Sequence, residues 1–455
     1  MTNDDIVKFI PGNCKNNINP IALDVTSFAG YAGTPFHEKT AELFYWFFES
    51  RSSAPVESTP LIIWLNGGPG APSTLGLFLE NGPYGIKEDA EGTVIVNDAG
   101  WNEKAHLLYW DQPVGTGYSC VSGEHPEETF VTNEDELSDI FHGALQDFLT
   151  RHPRYRSCPL YITGESYGGK YIPNIALKID EKNEAASSDN KINLKGIAVG
   201  DGWIDPGLQM KVYIDYAFTM GYLDTCERLR QMESFEKFRN ALDRRVWKEA
   251  YTISNDIVAD VSALGGNFDV YNISRFSEIS MANVQSYMEN ETVKRALHVP
   301  QSQPWICADN KGPVAENLIE DNMSDTSSLY GRIIEKTEKY RVLMYTGTFD
   351  TACGSLSTEK ILYDLKKWND DEENNKWKSV ERFIWGKTED TPPKGFIKRM
   401  HNLTQIVIPG SGHQVPYYKP YISREMINTW MFEEPFTGCW LKLSRDVKRS
   451  DAKQV

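Results

Sequence analysis

Residues 159–169 read Pro-Leu-Tyr-Ile-Thr-Gly-Glu-Ser-Tyr-Gly-Gly, and this stretch decides the fold. Leu160, Tyr161 and Ile162 form a short β-type apolar run that breaks straight into Gly-x-Ser-x-Gly, and a helix-like run follows from Tyr171 to Ile179. Strand, sharp turn and helix in that order fit a nucleophile elbow. Such a turn forces Ser166 into a strained backbone position and holds its hydroxyl out at the carboxyl edge of a sheet. The spacing predicts that a side chain at either Gly164 or Gly168 collides with a neighbouring strand or helix. The helix N-terminus beside the hydroxyl favours developing negative charge.

Either side of the elbow, short apolar runs bounded by Gly, Pro or Asn recur at 59–66, 106–111, 194–200, 341–346 and 403–408. Near-continuous apolar strands suit a parallel sheet covered on both faces. Residues 134–151 carry Leu137, Ile140, Phe141, Leu145, Phe148 and Leu149 at helical spacing, which predicts a helix crossing over that sheet. From about 203 to 325 helical, charge-rich segments take over. The expected architecture is therefore α/β, of the α/β-hydrolase type: a mostly parallel central sheet with helices on both faces and a helical cap insertion. The core is expected over 1–202 and 326–445, the cap over 203–325 and a frayed tail over 446–455. Residues 367–396 read as a polar, exposed loop.

The bulk composition narrows the function. The chain has 455 residues, 40% apolar, with a formal net charge of −17. Length and apolar content allow a large core. The negative charge argues against nucleic acid as a partner. No run of 18 apolar residues occurs, so no membrane span is expected. The first residues lack both a basic start and an apolar stretch of leader length. Seven cysteines, odd in number and without a Cys-x-x-Cys pair, argue against a dense disulfide framework. The Asn-x-Ser/Thr sequons at Asn272, Asn290, Asn322 and Asn402 do not decide the compartment.

A serine nucleophile needs a base to take its proton and an acid to hold that base in the right tautomer. In α/β-hydrolase order both follow the serine, each in a loop after a later strand. Arg341–Thr346 leads into Gly-Thr-Phe-Asp, placing Asp350 just past a strand end, and Leu403–Ile408 leads into Pro-Gly-Ser-Gly-His, placing His413 in a Gly-flanked loop. The other histidines show no paired spacing with acids or cysteines that suggests a metal site. Neither a metal nor another cofactor is expected. A second glycine cluster, Trp64-Leu-Asn-Gly-Gly-Pro-Gly, follows the first core strand, where a second oxyanion donor belongs. Gly68 and Tyr167 are the candidate donors.

These segments resemble the serine carboxypeptidases. The matching stretches are Trp-Leu-Asn-Gly-Gly-Pro-Gly (64–70), Leu-Glu-Asn-Gly-Pro-Tyr (79–84), Asp-Gln-Pro-Val-Gly-Thr-Gly-Tyr-Ser (111–119), Gly-Glu-Ser-Tyr-Gly-Gly-Lys-Tyr-Ile-Pro (164–173), Gly-Asp-Gly-Trp-Ile-Asp-Pro (200–206) and Gly-Ser-Gly-His-Gln-Val-Pro (410–416). They span nearly the whole chain in family order. The resemblance implies release of C-terminal amino acids from peptides or proteins by Ser166, Asp350 and His413. It also implies that Asn66, Glu80 and Glu165, with Trp64, hold the substrate's terminal carboxylate. Two buried carboxyls side by side cannot both ionise cheaply, so one stays protonated and donates, which makes peptide binding acid-favoured.

Departures accompany the match. Where the family segment usually reads Gly-Cys-Ser-Ser, this chain has Gly-Ala-Pro-Ser (70–73), so Cys307 lacks the partner that the resemblance implies. Pro72 and Gly169 also depart from the usual pattern. Cys353, three residues past Asp350, is expected beside the site, where a thiol reagent would block activity. Family members are usually vacuolar, lysosomal or secreted, and the sequence leaves the compartment open. A monomer or homodimer is expected. Two other readings stand beside hydrolysis: a serine carboxypeptidase-like acyltransferase using the same triad, and a catalytically silent homologue acting as a binding partner.

Overall fold

Apolar runs without polar alternation can persist only where both faces of a strand are covered. The structure, a computed structural model, describes residues 5–15, 20–122, 130–365, 376–386 and 391–437. Its central sheet contains β1 (Ser27–Phe36), β2 (Lys39–Phe48), β3 (Leu61–Leu65), β4 (His106–Trp110), β5 (Leu160–Glu165), β6 (Leu194–Gly200), β7 (Arg341–Gly347), β8 (Phe383–Trp385), β9 (Gly395–Met400) and β10 (Leu403–Ile408). The order across the sheet is β8-β9-β10-β7-β6-β5-β3-β4-β2-β1, with Cys120–Val121 pairing onto β2. Strands β10, β7, β6, β5, β3 and β4 run parallel. The outer strands on both edges are antiparallel. This is the α/β-hydrolase fold.

The pleat explains why the strands read as unbroken apolar runs. In β3, Leu61, Ile63 and Leu65 join the core on one face, while Ile62 and Trp64 join the core on the other. In β7, Val342 and Met344 divide from Leu343 and Tyr345 in the same way. Each such buried side chain contributes about 1.5–3 kcal/mol, so the carboxyl edge of the sheet is a stiff platform. Helices α1 (Glu134–Arg151) and α2 (Gly168–Ala185) cover the first face through Leu137, Phe141, Ile172 and Ile175. Asn133 caps α1 by accepting from the Glu136 N–H.

Helices α3 (Pro206–Thr219), α4 (Thr225–Asp243) and α5 (Trp247–Leu264) pack around their own apolar cluster, including Met210, Tyr213, Phe235, Phe238, Ile257 and Val261. Asp224 and Glu227 close a capping box at the start of α4. Other parts of the 203–325 insertion behave differently: Val284, Tyr287, Val293 and Trp305 join the core on the second face of the main sheet, with Met426, Ile427 and Trp430 of α6 (Pro420–Met431), while Val314 and Leu318 join the core on the first.

The polar excursion at 367–396 is not simply an exposed loop. Within its described part, Trp377 and Trp385 are buried, and β8 pairs antiparallel with β9. The charged residues around these tryptophans hid them in the sequence. The frayed tail at 446–455 and Cys439 lie outside the described residues. Among the described residues no helix is long and apolar enough to cross a membrane. Of the sequon asparagines, Asn272, Asn322 and Asn402 are buried.

Candidate active site

Ser166 sits between the end of β5 and the start of α2 with φ +58°, a left-handed backbone conformation that costs a residue bearing a Cβ on the order of 1–2 kcal/mol. Local hydrogen bonds hold it there. The Ser166 N–H donates to Gly200 O at 3.1 Å, and its carbonyl accepts from the Gly169 and Trp203 amides, both at 2.8 Å. A Cβ on Gly164 would lie 2.1 Å from Leu65 O, so only glycine fits there. Gly168 is different: a Cβ would meet Leu65 O at 3.4 Å and Ile172 Cδ1 at 3.6 Å, ordinary contacts. The collision expected at Gly168 instead belongs to Gly169, where a Cβ would lie 2.7 Å from Trp203 O. That close approach accounts for glycine at this departure from the family pattern.

The Gly67-Gly68 turn leaves β3 and presses on the elbow. A Cβ on Gly67 would lie 2.4 Å from Tyr167 N and 2.8 Å from Ser166 Cβ. Gly68 adopts φ +106°. Neither the Gly68 nor the Tyr167 amide donates a hydrogen bond to any described residue. Two unspent backbone N–H groups therefore flank the serine, as stabilisation of an oxyanion requires.

His413 and Asp350 meet from two strand ends, with Nδ1 to Oδ2 at 2.9 Å and both side chains buried. Asp350 also accepts from the amides of Ala352 (2.9 Å) and Cys353 (3.1 Å). Burial acts to lower the His413 pKa, but the surrounding acids, Asp350 foremost through charge and hydrogen bond and then Glu80 and Asp309, together outweigh it and leave the imidazole above its usual value. His413 Nε2 is buried without a partner and lines the same cleft as Ser166. A serine–histidine bond of this kind commonly tightens only once substrate is bound.

Asn66 organises the acids. Its Nδ2 donates to Glu165 Oε1 at 3.1 Å and to Glu80 Oε1 at 3.3 Å, while its Oδ1 accepts from Trp64 Nε1 (2.9 Å) and Gly76 N (3.0 Å). Trp64 thus sits behind Asn66 and fixes its orientation. Burial raises both glutamates above the ordinary carboxylate range, and Glu165 is raised further by Glu80 beside it. If both were ionised, Glu80 Oε2 and Glu165 Oε2 would be buried with no donor. A proton held between the hydrogen-bonded carboxyls supplies one.

Two clefts meet at the serine. The first, about 740 Å³, is lined by Asn66, Glu80, Glu165 and His413. The second, about 760 Å³, is lined by Tyr167, Trp203, Met210, Tyr213, Tyr251 and Cys353. Ser166, Gly68 and Tyr271 belong to both. Cys353 is buried, and burial pushes its thiol pKa well up. Asp350, Cys353 and His413 are close enough to hold a metal ion, but this is the acid–base pair with a neutral thiol, a poor donor set. Cys307 is a free thiol, and its segment is tied to the 69–71 turn by backbone bonds: Ala308 N to Gly70 O at 3.3 Å and Asn310 N to Pro69 O at 3.0 Å.

A family model described as serine carboxypeptidase matches residues 17–433. The chain belongs to the serine carboxypeptidase family. It is a serine-type carboxypeptidase by class. A probable serine carboxypeptidase from Dictyostelium discoideum is 30% identical, covering 91% of this chain and 80% of the relative. A venom serine carboxypeptidase from Apis mellifera is 32% identical, covering 90% and 85%. Among solved structures, a prohormone-processing carboxypeptidase from Saccharomyces cerevisiae shares the fold, with TM-score 0.79, 22% identity and coverage of 95% and 96%.

Several residues of this carboxypeptidase site were not singled out from sequence. Gly67 belongs to a glycine pair whose members a linear motif cannot rank. Tyr271 packs at a tilt of 37° against His413 with centroids 4.8 Å apart, and its carbonyl accepts from the His413 amide at 2.8 Å. It lies in the cap with no motif around it. Asp201, at φ +41°, accepts from the Gly347 amide at 3.0 Å. Burial first, and then the charge and hydrogen bond of the neighbouring Asp350, push its carboxyl well above the ordinary carboxylate range. Its only sequence signal was membership of the Gly-Asp-Gly segment.

Proposed function

We propose that the protein removes single amino acids from peptide C-termini by acyl transfer through Ser166, with peptide binding favoured at acidic pH. The supporting observation is the carboxyl pair of Glu80 and Glu165, held by Asn66 in the same cleft as Ser166 and His413. Ser166 Oγ attacks the scissile carbonyl while His413 Nε2 takes its proton, and Asp350 holds Nδ1–H and stabilises the imidazolium. The free Gly68 and Tyr167 amides receive the oxyanion. His413 then gives its proton to the departing amine, and water, activated by the same imidazole, releases the acyl group. No cofactor takes part. The protonated carboxyl of the pair donates to the terminal carboxylate, and Asn66 Nδ2, which gives its two N–H groups to the two glutamates, holds the pair in place. Trp64 acts through Asn66.

A blocked dipeptide compared with its C-terminal amide tests this reading. The free acid should be cut faster at pH 5, and Ser166→Ala should abolish both cleavage and fluorophosphonate labelling. Equal rates on acid and amide would show that the acids do not read the terminus. Labelling that survives Ser166→Ala would remove the nucleophile.

A further inference from the structure

Residues 268–275 belong to no helix or strand, yet a closed set of local bonds gives them one shape. Asp269 and Asn272 pair across a tight antiparallel bridge. The Asp269 N–H donates to Arg275 O, and the Asn272 and Arg275 amides donate to Asp269 O and Asn272 O, each at 2.9 Å. Side chains complete the turns. Asp269 Oδ1 accepts from the Tyr271 amide at 2.9 Å, and Asn272 Oδ1 accepts from the Ser274 amide at 3.1 Å and from the Ser274 hydroxyl at 2.6 Å. Phe268 and Ile273 root the segment in the cap's apolar cluster, and Tyr222 Oη donates to Ile273 O at 2.6 Å.

Three residues of this segment reach outward to the loops that carry the acid and the base. The Ile273 amide donates to Phe349 O at 2.9 Å, and Val270 O accepts from the Thr351 amide at 3.3 Å and from the Thr351 hydroxyl. Phe349 and Thr351 flank Asp350. Between these two anchor points, Tyr271 O accepts from the His413 amide and the Tyr271 ring packs against the imidazole. The fit is close: a Cβ on Gly412 would lie 2.6 Å from Tyr271 O. The two loops also share a direct bond, Phe349 N to Ser411 O at 2.7 Å, but it precedes Asp350 and His413 in their loops. Resting on the assignment of Ser166, His413 and Asp350, we propose that residues 268–275 are a strap that sets the separation and orientation of the His413–Asp350 pair, with Asp269 as the positioning residue that holds its shape. Bonds from residues 270, 271 and 273 locate acid and base against one rigid piece of chain. The cap is thus part of the catalytic apparatus as well as a wall of the second cleft.

Three variants test the strap. Asp269→Ala removes the acceptor for the Tyr271 amide, Asp269→Asn keeps it, and Thr351→Val removes one link at the far end while preserving side-chain shape. Each is followed by thermal melt, fluorophosphonate labelling rate, kcat and KM on a blocked amino-acid ester, and the low-field NMR proton of the His413–Asp350 hydrogen bond. A displacement near 1 Å costs about 10²-fold, so Asp269→Ala should lower labelling and ester kcat at least about tenfold. It should also shift or broaden the low-field proton and leave KM nearly unchanged. Asp269→Asn should restore wild-type values, and Thr351→Val should lose several-fold in kcat. Asp269 also lines the first cleft. A role in holding substrate alone predicts a raised KM with labelling and the low-field proton intact, and that result overturns the strap. So does an Asp269→Asn enzyme as damaged as Asp269→Ala. If Asp269→Ala melts below the assay temperature, Thr351→Val decides alone, and wild-type labelling and kcat from it overturn the proposal. Wild type that neither labels nor cleaves the ester overturns the triad assignment itself, a result distinct from all of these.

Discussion

Gly67→Ala is the sharpest single probe of the site, because the added methyl has nowhere to go. Its Cβ would lie 2.4 Å from Tyr167 N, 2.8 Å from Ser166 Cβ and 2.9 Å from Glu165 O. Carbon contacts settle at about 3.5 Å, so the turn and the elbow must separate by about 1 Å. All three obstructing atoms belong to the elbow, which is anchored by the bonds from Gly200, Gly169 and Trp203. The Gly67-Gly68 turn therefore yields, carrying the Gly68 amide away from the oxyanion. A misplacement of that size costs on the order of 10²-fold, and loss of one oxyanion donor about 10²–10³-fold in kcat. Both a blocked dipeptide and a blocked amino-acid ester pass through a tetrahedral intermediate, so kcat should fall by the same factor on each, with KM changing little. Steady-state kinetics on both substrates, with a thermal melt to show that the variant is folded, reads this directly. A folded Gly67→Ala enzyme with kcat within about threefold of wild type would refute the placement of the oxyanion site.

Glu165→Gln replaces a charge-assisted O–H donor with a weaker amide, so peptide kcat/KM at pH 5 should fall about tenfold while ester hydrolysis changes far less; equal losses on both would show that the pair does not read the terminus. The pH profile should have two limbs on peptides: a rise as His413 loses its proton, and a fall as the Glu80–Glu165 pair loses its shared one. Esters should show the rise alone, and a matching fall on esters would assign it elsewhere. Stability should also decline with pH. The buried Asp111 carboxyl, pushed up to about 7 in the fold by burial, is raised above its unfolded value. Its contribution is therefore complete below about pH 4 and is lost as the pH climbs to 7, at roughly 1.4 kcal/mol for each pH step of one across that window. Urea midpoints at pH 5 should exceed those at pH 8, and the reverse order would contradict the sign. Gly168→Ala should leave a folded, labelling-competent enzyme, whereas Gly164→Ala should not fold normally; equal damage from both would put the close contact in the wrong place.

What the sequence could show depended on how local each feature is. The strand of β5, the elbow and the 134–151 helix are written in contiguous residues, so period and punctuation sufficed. Asp350 and His413 followed from topology, because a parallel sheet delivers loop residues to one edge in chain order. Gly168 was misjudged because a motif records which residue is small and not which neighbour approaches it. Trp64 was placed with the substrate-binding set because the motif contains it; its hydrogen bond to Asn66, and its absence from the cleft lining among the described residues, are visible only in three dimensions. The strap at 268–275 was beyond reach for a different reason. It meets the Asp350 and His413 loops chiefly through backbone atoms of Val270, Tyr271 and Ile273, and a backbone atom leaves no mark in residue type.

In the proposed function, Asn66, Glu80 and Glu165 form a dead end that makes the enzyme a ruler as well as a catalyst. A polypeptide can extend past Ser166 only as far as that barrier, so each visit shortens it by one unit and re-presents a new end. Erosion continues until a terminal side chain suits neither hollow. The final length of a trimmed peptide is thus written in the peptide's own sequence, read backwards from its tail.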